Sequence, residues 1–232
     1  MKRNFVVAVT GASGVAYAIR LIEVLTTTGC DVQLSISQAA VAVLAEELHL
    51  KVNLDRFTVS MLGIEPDNPA RQDERLKKLR NFAGIASEQS SVLSVGGREL
   101  GQITYHDCRD FTSPLASGSH PTDGMIVCPC SAATLGSIAS GAATNLIHRA
   151  AEVHLKQRRP LVLVPRETPL SMIFLDNMRR AAEAGAVILP AVPGFYHGPK
   201  TVQDLIDFVV ARICGQLGVA TNLVERAAGS GQ

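Results

Sequence analysis

Short β-branched runs alternate along this chain with longer segments in which apolar residues recur at helical spacing. A repeated strand-then-helix pattern is typical of a parallel sheet covered by helices on both faces. The pattern predicts strands over residues 5–10, 32–36, 103–106, 124–128, 160–164 and 186–189. It predicts helices over residues 14–28, 38–48, 133–140, 146–156, 169–184 and 202–217. We therefore expect an α/β fold with a parallel sheet of about six strands, whose carboxyl ends carry the functional residues.

The length of the chain favours a single domain. Its 232 residues, 47% of them hydrophobic, are enough for one sizeable core. We assign residues 1–226 to this domain. A surface excursion is expected at about 53–100, where a charged run and a Ser- and Gly-rich stretch interrupt the pattern. Residues 227–232 are expected to form a frayed tail.

Composition argues against nucleic acid and membrane partners. The 22 Lys and Arg nearly balance the 21 Asp and Glu, so no general field attracts a polyanion or an anionic membrane. No apolar stretch approaches the roughly 18 residues of a membrane span, and residues 1–4 lead straight into the first strand without a signal peptide. We expect a cytoplasmic protein.

The five cysteines form no regular framework. Cys128 and Cys130 invite a zinc assignment, but no second pair of Cys or His stands at matching spacing. Burial at a strand end explains them better. An aspartate-rich magnesium motif is also absent from the sequence, so we expect no metal.

Two strand-to-helix turns offer candidate anion sites. Gly11, Ala12 and Ser13 follow the first strand, where small residues let backbone N–H groups at a helix start approach a phosphate. A turn that needs glycine for its backbone angles explains them nearly as well. Ser37 opens the second helix, where a plain N-cap is the better interpretation. The dinucleotide motif G-x-G-x-x-G is absent at the first turn.

Two later segments offer hydroxyls and cations. Ser117 lies in a loop of hydroxyls and glycine at residues 114–119, and residues 131–134 follow the fourth strand. Arg149 and Lys156 stand seven residues apart on one face of the next helix, where they can address one anion. From this pattern alone, a solvated basic stripe near a helix C-terminus is the better interpretation.

Charged and phenolic residues follow the last two strands. Arg166 and Glu167 come directly after a fully apolar strand, so we expect them in the strand-end crevice and in catalysis. Tyr196 follows the last strand and is expected to place its phenol in the same crevice. Arg212, on the last helix, can pair with an acid or reach a phosphate.

In chain order, these segments resemble the UbiX-type flavin prenyltransferases: GASG at 11–14, ASGS at 116–119, CPCSAATL at 128–135, RRPLVLVPRE at 158–167 and PGFYH at 193–197. The resemblance implies a flavodoxin-like Rossmann three-layer fold and a homododecamer with the flavin where subunits meet. It implies metal-independent transfer of the dimethylallyl group of dimethylallyl phosphate to reduced flavin mononucleotide (FMN), at N5 and the adjacent ring carbon. The prenylated FMN would serve a UbiD-type decarboxylase in ubiquinone biosynthesis or aromatic acid metabolism.

The resemblance also implies roles for individual residues. FMN would be bound by Gly11, Ala12, Ser13, Ser37, Ser131, Ala132, Ala133, Thr134 and Arg166. Dimethylallyl phosphate would be bound by Ser117, Arg149, Lys156, Arg166, Tyr196 and Arg212, some of them from a neighbouring subunit. Catalysis would use Glu167 as the proton carrier, with Glu47 as a second acid and Ser13 at the reactive edge of the flavin.

Two rival functions share part of this pattern. A flavin-dependent cysteine decarboxylase has the same fold, but it relies on an active-site His and a Pro-x-Met-Asn-x-x-Met-Trp segment, whereas residues 169–172 here are Pro-Leu-Ser-Met. A non-catalytic flavin carrier would not require Glu167 beside Arg166, nor the group of phosphate-binding cations.

Overall fold

A computed structural model describes residues 2–64 and 100–223, in which six parallel strands form one sheet. The strands are β1 (Asn4–Val9), β2 (Asp31–Ile36), β3 (Ile103–Tyr105), β4 (Gly124–Cys130), β5 (Leu161–Pro165) and β6 (Val187–Ile188). The helices are α1 (Val15–Thr27), α2 (Gln38–Leu48), α3 (Ala132–Ser140), α4 (Leu146–Lys156), α5 (Met172–Glu183) and α6 (Val202–Gln216). The predicted α/β fold with a six-stranded parallel sheet is confirmed.

The strand order is β3-β2-β1-β4-β5-β6, which is that of a Rossmann-type three-layer fold. The order reverses at β1, which pairs with β2 on one side and with β4 on the other. In open sheets of this kind, the crevice beyond the carboxyl ends of the strands at the reversal is where ligands bind. The residues that follow β1 and β4 are therefore the ones expected to contact a ligand.

Alternating residues of β1 divide the core into two layers. Phe5, Val7 and Val9 face one layer, covered by α1, α2 and α6, whereas Val6 and Ala8 face the other, covered by α3, α4 and α5. Both faces of β1 are thus fully buried, which explains why its sequence is a continuous apolar run.

The first part of the predicted surface excursion packs against the core. Two short 3₁₀ helices lie at Leu54–Arg56 and Val59–Leu62, and they bury Leu54 and Leu62. Ile64 is buried in the same layer. The rest of the predicted excursion, residues 65–99, and the predicted tail lie outside the described residues.

The two cysteines near the end of β4 are completely buried. Burial raises the pKa of the Cys130 thiol to about 12 and raises that of Cys128 further. Their strand-end interpretation is confirmed. Within residues 2–64 and 100–223, no group of three or more His, Cys, Asp or Glu side chains is arranged to hold a metal, and no helix is long and apolar enough to cross a membrane.

Candidate active site

A carboxylate from α2 closes the turn that follows β1. Gly14 is the N-cap of α1, at φ 101°, and it has no side chain that could accept from the first amides of the helix. The Glu47 carboxylate accepts hydrogen bonds from the N–H groups of Gly14 at 3.0 Å and Val15 at 3.1 Å. Because the helix start carries a partial positive charge, it stabilises this carboxylate.

This contact gives the amides at the start of α1 an acceptor within the protein, and binding of a phosphate at this turn stays a prediction. The anion at this helix start is Glu47, which belongs to the protein itself. Glu47 thereby fixes the shape of the turn on which Ser13 is exposed. Participation of Glu47 and Ser13 in the chemistry stays a prediction.

The same turn packs closely against the start of α2. A Cβ atom added to Gly11 would lie 2.5 Å from the Cβ of Ala39, so this glycine is required by helix packing. Ser37 is the N-cap of α2, since its Oγ accepts from the N–H of Ala40 at 3.2 Å. The N-cap interpretation of Ser37 is confirmed, whereas contacts of Gly11, Ala12 and Ser37 with flavin stay predictions.

The turn after β4 differs from the first turn in its hydrogen bonding. Ser131 caps α3, with its Oγ accepting from the N–H of Thr134 at 3.3 Å and donating to the Thr134 hydroxyl at 3.0 Å. Ala132 and Ala133 are exposed in the first turn of α3, at positions whose N–H groups have no acceptor within a helix. This helix start therefore keeps backbone donors for an external anion.

Arg166 extends from the end of β5 toward the first turn. A Cβ atom added to Gly14 would lie 3.9 Å from the Arg166 Cγ. The Arg166 Nε is buried and has no hydrogen-bond partner within the described part of the chain. Buried N–H groups are almost always paired, so this donor indicates an acceptor supplied from outside the chain. The neighbouring Glu167 is exposed, and its carboxylate accepts from the N–H of Thr168 at 3.1 Å.

Two arginines hold the loop that carries Ser117. Arg149 donates from Nε to the Ala116 carbonyl at 3.2 Å and pairs with Glu152 at 2.7 Å. Arg159 donates to the carbonyls of Gly118 and His120, both at 2.7 Å. Sequence reasoning missed Arg159, because its partners are backbone carbonyls that leave no trace in the residue pattern.

Two of the predicted phosphate ligands, Lys156 and Arg166, lie near opposite ends of the strands. His154 in α4 contacts the hydroxyl of Thr122 at 2.9 Å, just before β4 begins, so the last turn of α4 lies at the amino ends of the strands. Lys156 is exposed in that turn, whereas Arg166 follows the carboxyl end of β5. Within one chain, the structure therefore does not bring Lys156 and Arg166 together. Arg149 and Lys156 are also about 10 Å apart along the helix.

Tyr196 and Arg212 form a pair on the surface of α6. The Tyr196 hydroxyl accepts from Arg212 Nη2 at 2.7 Å, and its ring meets Phe208 edge to face at 5.6 Å. Tyr196 is 71% exposed. In the single chain the phenol is thus held against α6 by Arg212 and Phe208, and its place in the strand-end crevice stays a prediction.

The sequence matches characterised flavoproteins over nearly its whole length. Residues 1–214 match the family described as Flavoprotein. The flavin prenyltransferase UbiX of Pseudomonas aeruginosa is 42% identical over 219 residues, which cover 94% of this chain and 91% of the relative. The flavin prenyltransferase UbiX of Halalkalibacterium halodurans is 39% identical over 225 residues, which cover 97% of this chain and 93% of the relative.

Two solved structures resemble the fold closely. AnUbiX (PadA1), crystallised in complex with FMN and dimethylallyl pyrophosphate, matches with a TM-score of 0.75 and 35% identity, covering 99% of each chain. The dodecameric FMN-dependent UbiX-like decarboxylase from Escherichia coli O157:H7 matches with a TM-score of 0.73 and 31% identity, covering 97% of this chain and 100% of that chain.

Proposed function

Since the chain belongs to the flavoprotein family, among its UbiX flavin prenyltransferases, we propose that it transfers the dimethylallyl group of dimethylallyl phosphate to reduced FMN. In this reaction the allylic C–O bond breaks, inorganic phosphate leaves, and the allylic carbon bonds to N5, which loses its proton. The prenyl double bond then takes up a proton as it bonds to the adjacent ring carbon, which loses its own. Reduced FMN supplies the nucleophilic nitrogen. The protein supplies binding, orientation and proton transfer.

The buried, unpartnered Nε of Arg166 is the observation that carries the proposal. It lies beside the turn after β1, at the point where the strand order reverses. A flavin carbonyl or phosphate oxygen is an acceptor of the kind this donor lacks. The first-turn amides of Ala132 and Ala133 add donors at the neighbouring strand end. These residues fit FMN.

We propose that the second substrate binds between copies of the chain. A departing phosphate needs several pre-placed cations and hydroxyls. Within one chain, however, Lys156 lies at the amino ends of the strands and Arg166 lies at their carboxyl ends. A neighbouring copy would supply Ser117, Arg149 and Lys156 to the crevice of the first. Exposure of Met172 at 78% and Ile173 at 76% gives α5 an apolar surface suited to subunit contact. By analogy with the dodecameric relative, we propose a homododecamer.

Glu167 is proposed as the proton carrier. It is exposed next to Arg166, so its carboxyl group is accessible to a substrate in the crevice. General acid–base help from such a group contributes about 10² to 10⁴ in rate. Glu167→Gln should therefore bind FMN and dimethylallyl phosphate normally but lose turnover by about this factor. Glu183→Gln, at the end of α5, is a matched control that removes an exposed carboxylate away from Arg166.

Anaerobic incubation with reduced FMN and either dimethylallyl phosphate or the diphosphate tests the proposal. Mass spectrometry should show a flavin in which one dimethylallyl group has replaced a hydrogen, made by the wild type and the Glu183→Gln control. FMN binding without any such product would favour a flavin carrier, and release of carbon dioxide from a cysteine-ended peptide would favour a cysteine decarboxylase. Normal turnover by Glu167→Gln would leave Glu167 a structural neighbour of Arg166.

We further propose that the product is passed to a UbiD-type decarboxylase in the cytoplasm. A flavin that carries a fourth ring has a different shape from FMN, so we expect its use as a cofactor to require an enzyme that binds this shape. Adding the reaction mixture to the apo form of a UbiD-type decarboxylase should restore its activity, whereas mixtures made with Glu167→Gln should not.

A further inference from the structure

A completely buried hydroxyl lies between the ends of β1 and β4. Thr10 follows the last residue of β1 and is 0% exposed. Its Oγ1 donates to the carbonyl of Pro129 at 2.7 Å and accepts from the N–H of Ser131 at 2.8 Å. One side chain therefore pairs a backbone carbonyl near the end of β4 and the backbone N–H of the residue that follows this strand.

These bonds occur where the backbone ladder between the two strands has ended. β1 and β4 are in register from Phe5 opposite Gly124 to Ala8 opposite Val127. Beyond Val127, β4 has an irregularity in its register with β5. The Thr10 hydroxyl continues the connection past this point. Without it, the two backbone groups would lose their partner in a region that is poorly accessible to water, which is unfavourable.

The same residue joins the two turns that follow these strands. The turn at residues 11–13 begins directly after Thr10, whose carbonyl accepts from the N–H of Ala12 at 2.9 Å. Ser131, whose N–H contacts the hydroxyl, is the N-cap of α3. We infer that Thr10 is a positioning residue that sets the distance between these two turns and so shapes the FMN site. This inference rests on the proposed function, because it takes both turns to contact the flavin.

Replacing Thr10 with Val and with Ser tests this inference. Thr10→Val keeps the shape but removes the hydroxyl, and we expect FMN to bind about tenfold more weakly, with a changed visible spectrum of the remaining bound flavin. Thr10→Ser keeps the hydroxyl and should restore both. Rescue by Ser separates a hydrogen-bonding role from a packing role, because Ser lacks the methyl group.

Thr26→Val is the matched control. Thr26 is also buried, and its hydroxyl donates to the Ile22 carbonyl at 2.9 Å. It lies in the last turn of α1, at the end of the helix far from the turn that follows β1. Both Val variants should lower the melting temperature, and only Thr10→Val should weaken FMN binding. Wild-type affinity in Thr10→Val, or an equal loss in Thr26→Val, would overturn the inference. Failure of the wild type to bind FMN would instead overturn the proposed function.

A measurement on the unmodified protein covers the case in which Thr10→Val does not fold. Hydrogen–deuterium exchange should show the Ser131 amide already protected without FMN, because Thr10 accepts from it. The Ala132 and Ala133 amides should exchange quickly until FMN is added. Rapid exchange of the Ser131 amide in the FMN-free protein would overturn the inference.

Discussion

The substitutions Gly11→Ala and Ala39→Gly, made singly and together, separate two explanations for the glycine in the first turn. One explanation of the glycine is close approach of the flavin, which the sequence motif suggests, and the other is contact with α2. In the structure a Cβ at position 11 would lie 2.5 Å from the Cβ of Ala39, and 3.3 Å from its carbonyl carbon. Ordinary contacts of this kind lie between 3.4 and 4 Å. Gly11→Ala therefore forces α2 away from the turn.

The expected cost of Gly11→Ala is about 1 to 3 kcal/mol of unfolding free energy, the usual range for one extra methyl in a packed site. Ala39→Gly alone should cost about 0.5 to 1 kcal/mol, because it weakens the start of a helix. The double variant should be more stable than Gly11→Ala, with a favourable coupling of about 1 to 2 kcal/mol. Recovery should be incomplete, since the backbone of Ala39 remains close.

Urea unfolding and FMN titration of the four proteins provide the assay. The double variant should recover FMN affinity along with stability. Gly215→Ala is a control, because a Cβ there meets nothing within 4 Å; it should leave FMN binding unchanged. If the double variant regains stability but still fails to bind FMN, the flavin itself also needs the space at Gly11. If the double variant is no more stable than Gly11→Ala, the packing argument is refuted.

Three further variants test other parts of the site and the fold. Lys156→Ala should weaken use of dimethylallyl phosphate about 10- to 100-fold, the effect of one charge-assisted hydrogen bond, with FMN affinity unchanged; loss of FMN with intact prenyl phosphate use would reverse the assigned ligands. Arg159→Met should release the loop at Gly118 and His120, seen as faster amide exchange there and lower activity. Burial lowers the pKa of His154 from 6.5 to about 4, so stability should fall as pH drops from about 6.5 toward 4, because the unfolded chain binds the extra proton first. In His154→Gln that part of the pH dependence of urea unfolding should disappear.

Local patterns predicted the elements well and their ends less well. The predicted strands at residues 5–10, 124–128 and 160–164 formed because their apolar runs are bounded by turn residues, whereas residues 32–36 and 103–106 formed strands although polar residues interrupt them. The helix predicted from Pro169 begins instead at Met172, because the Ser171 side chain accepts from the N–H of Phe174 at 3.1 Å and so caps α5 there. A strong N-cap residue two positions later prevailed over the proline signal.

Site residues were predictable where their partners are near in sequence. Ser37 and Ser131 cap helices that begin at the next residue, so composition alone indicates the contact. Glu47 caps a helix that begins 32 residues earlier, and no local motif records that bond. Its carboxylate already accepts from the amides of Gly14 and Val15, so the structure adds to the first turn a contact that the sequence motif did not predict.

Arg149 and Lys156 show a second limit of sequence patterns, and it bears on how the enzyme assembles. Periodicity shows which face of a helix a residue occupies. It does not show whether the end of that helix lies near the amino or the carboxyl ends of the strands. The contact between His154 and Thr122 places the last turn of α4, and with it Lys156, at the amino ends of the strands. Arg166 lies at the carboxyl ends of the strands. If Lys156 and Arg166 bind one phosphate, as proposed, that phosphate must lie where two copies meet. Separating the subunits should therefore abolish prenyl transfer, and it should weaken FMN binding less than prenyl transfer if the proposed contacts of the turns of one chain with FMN are correct.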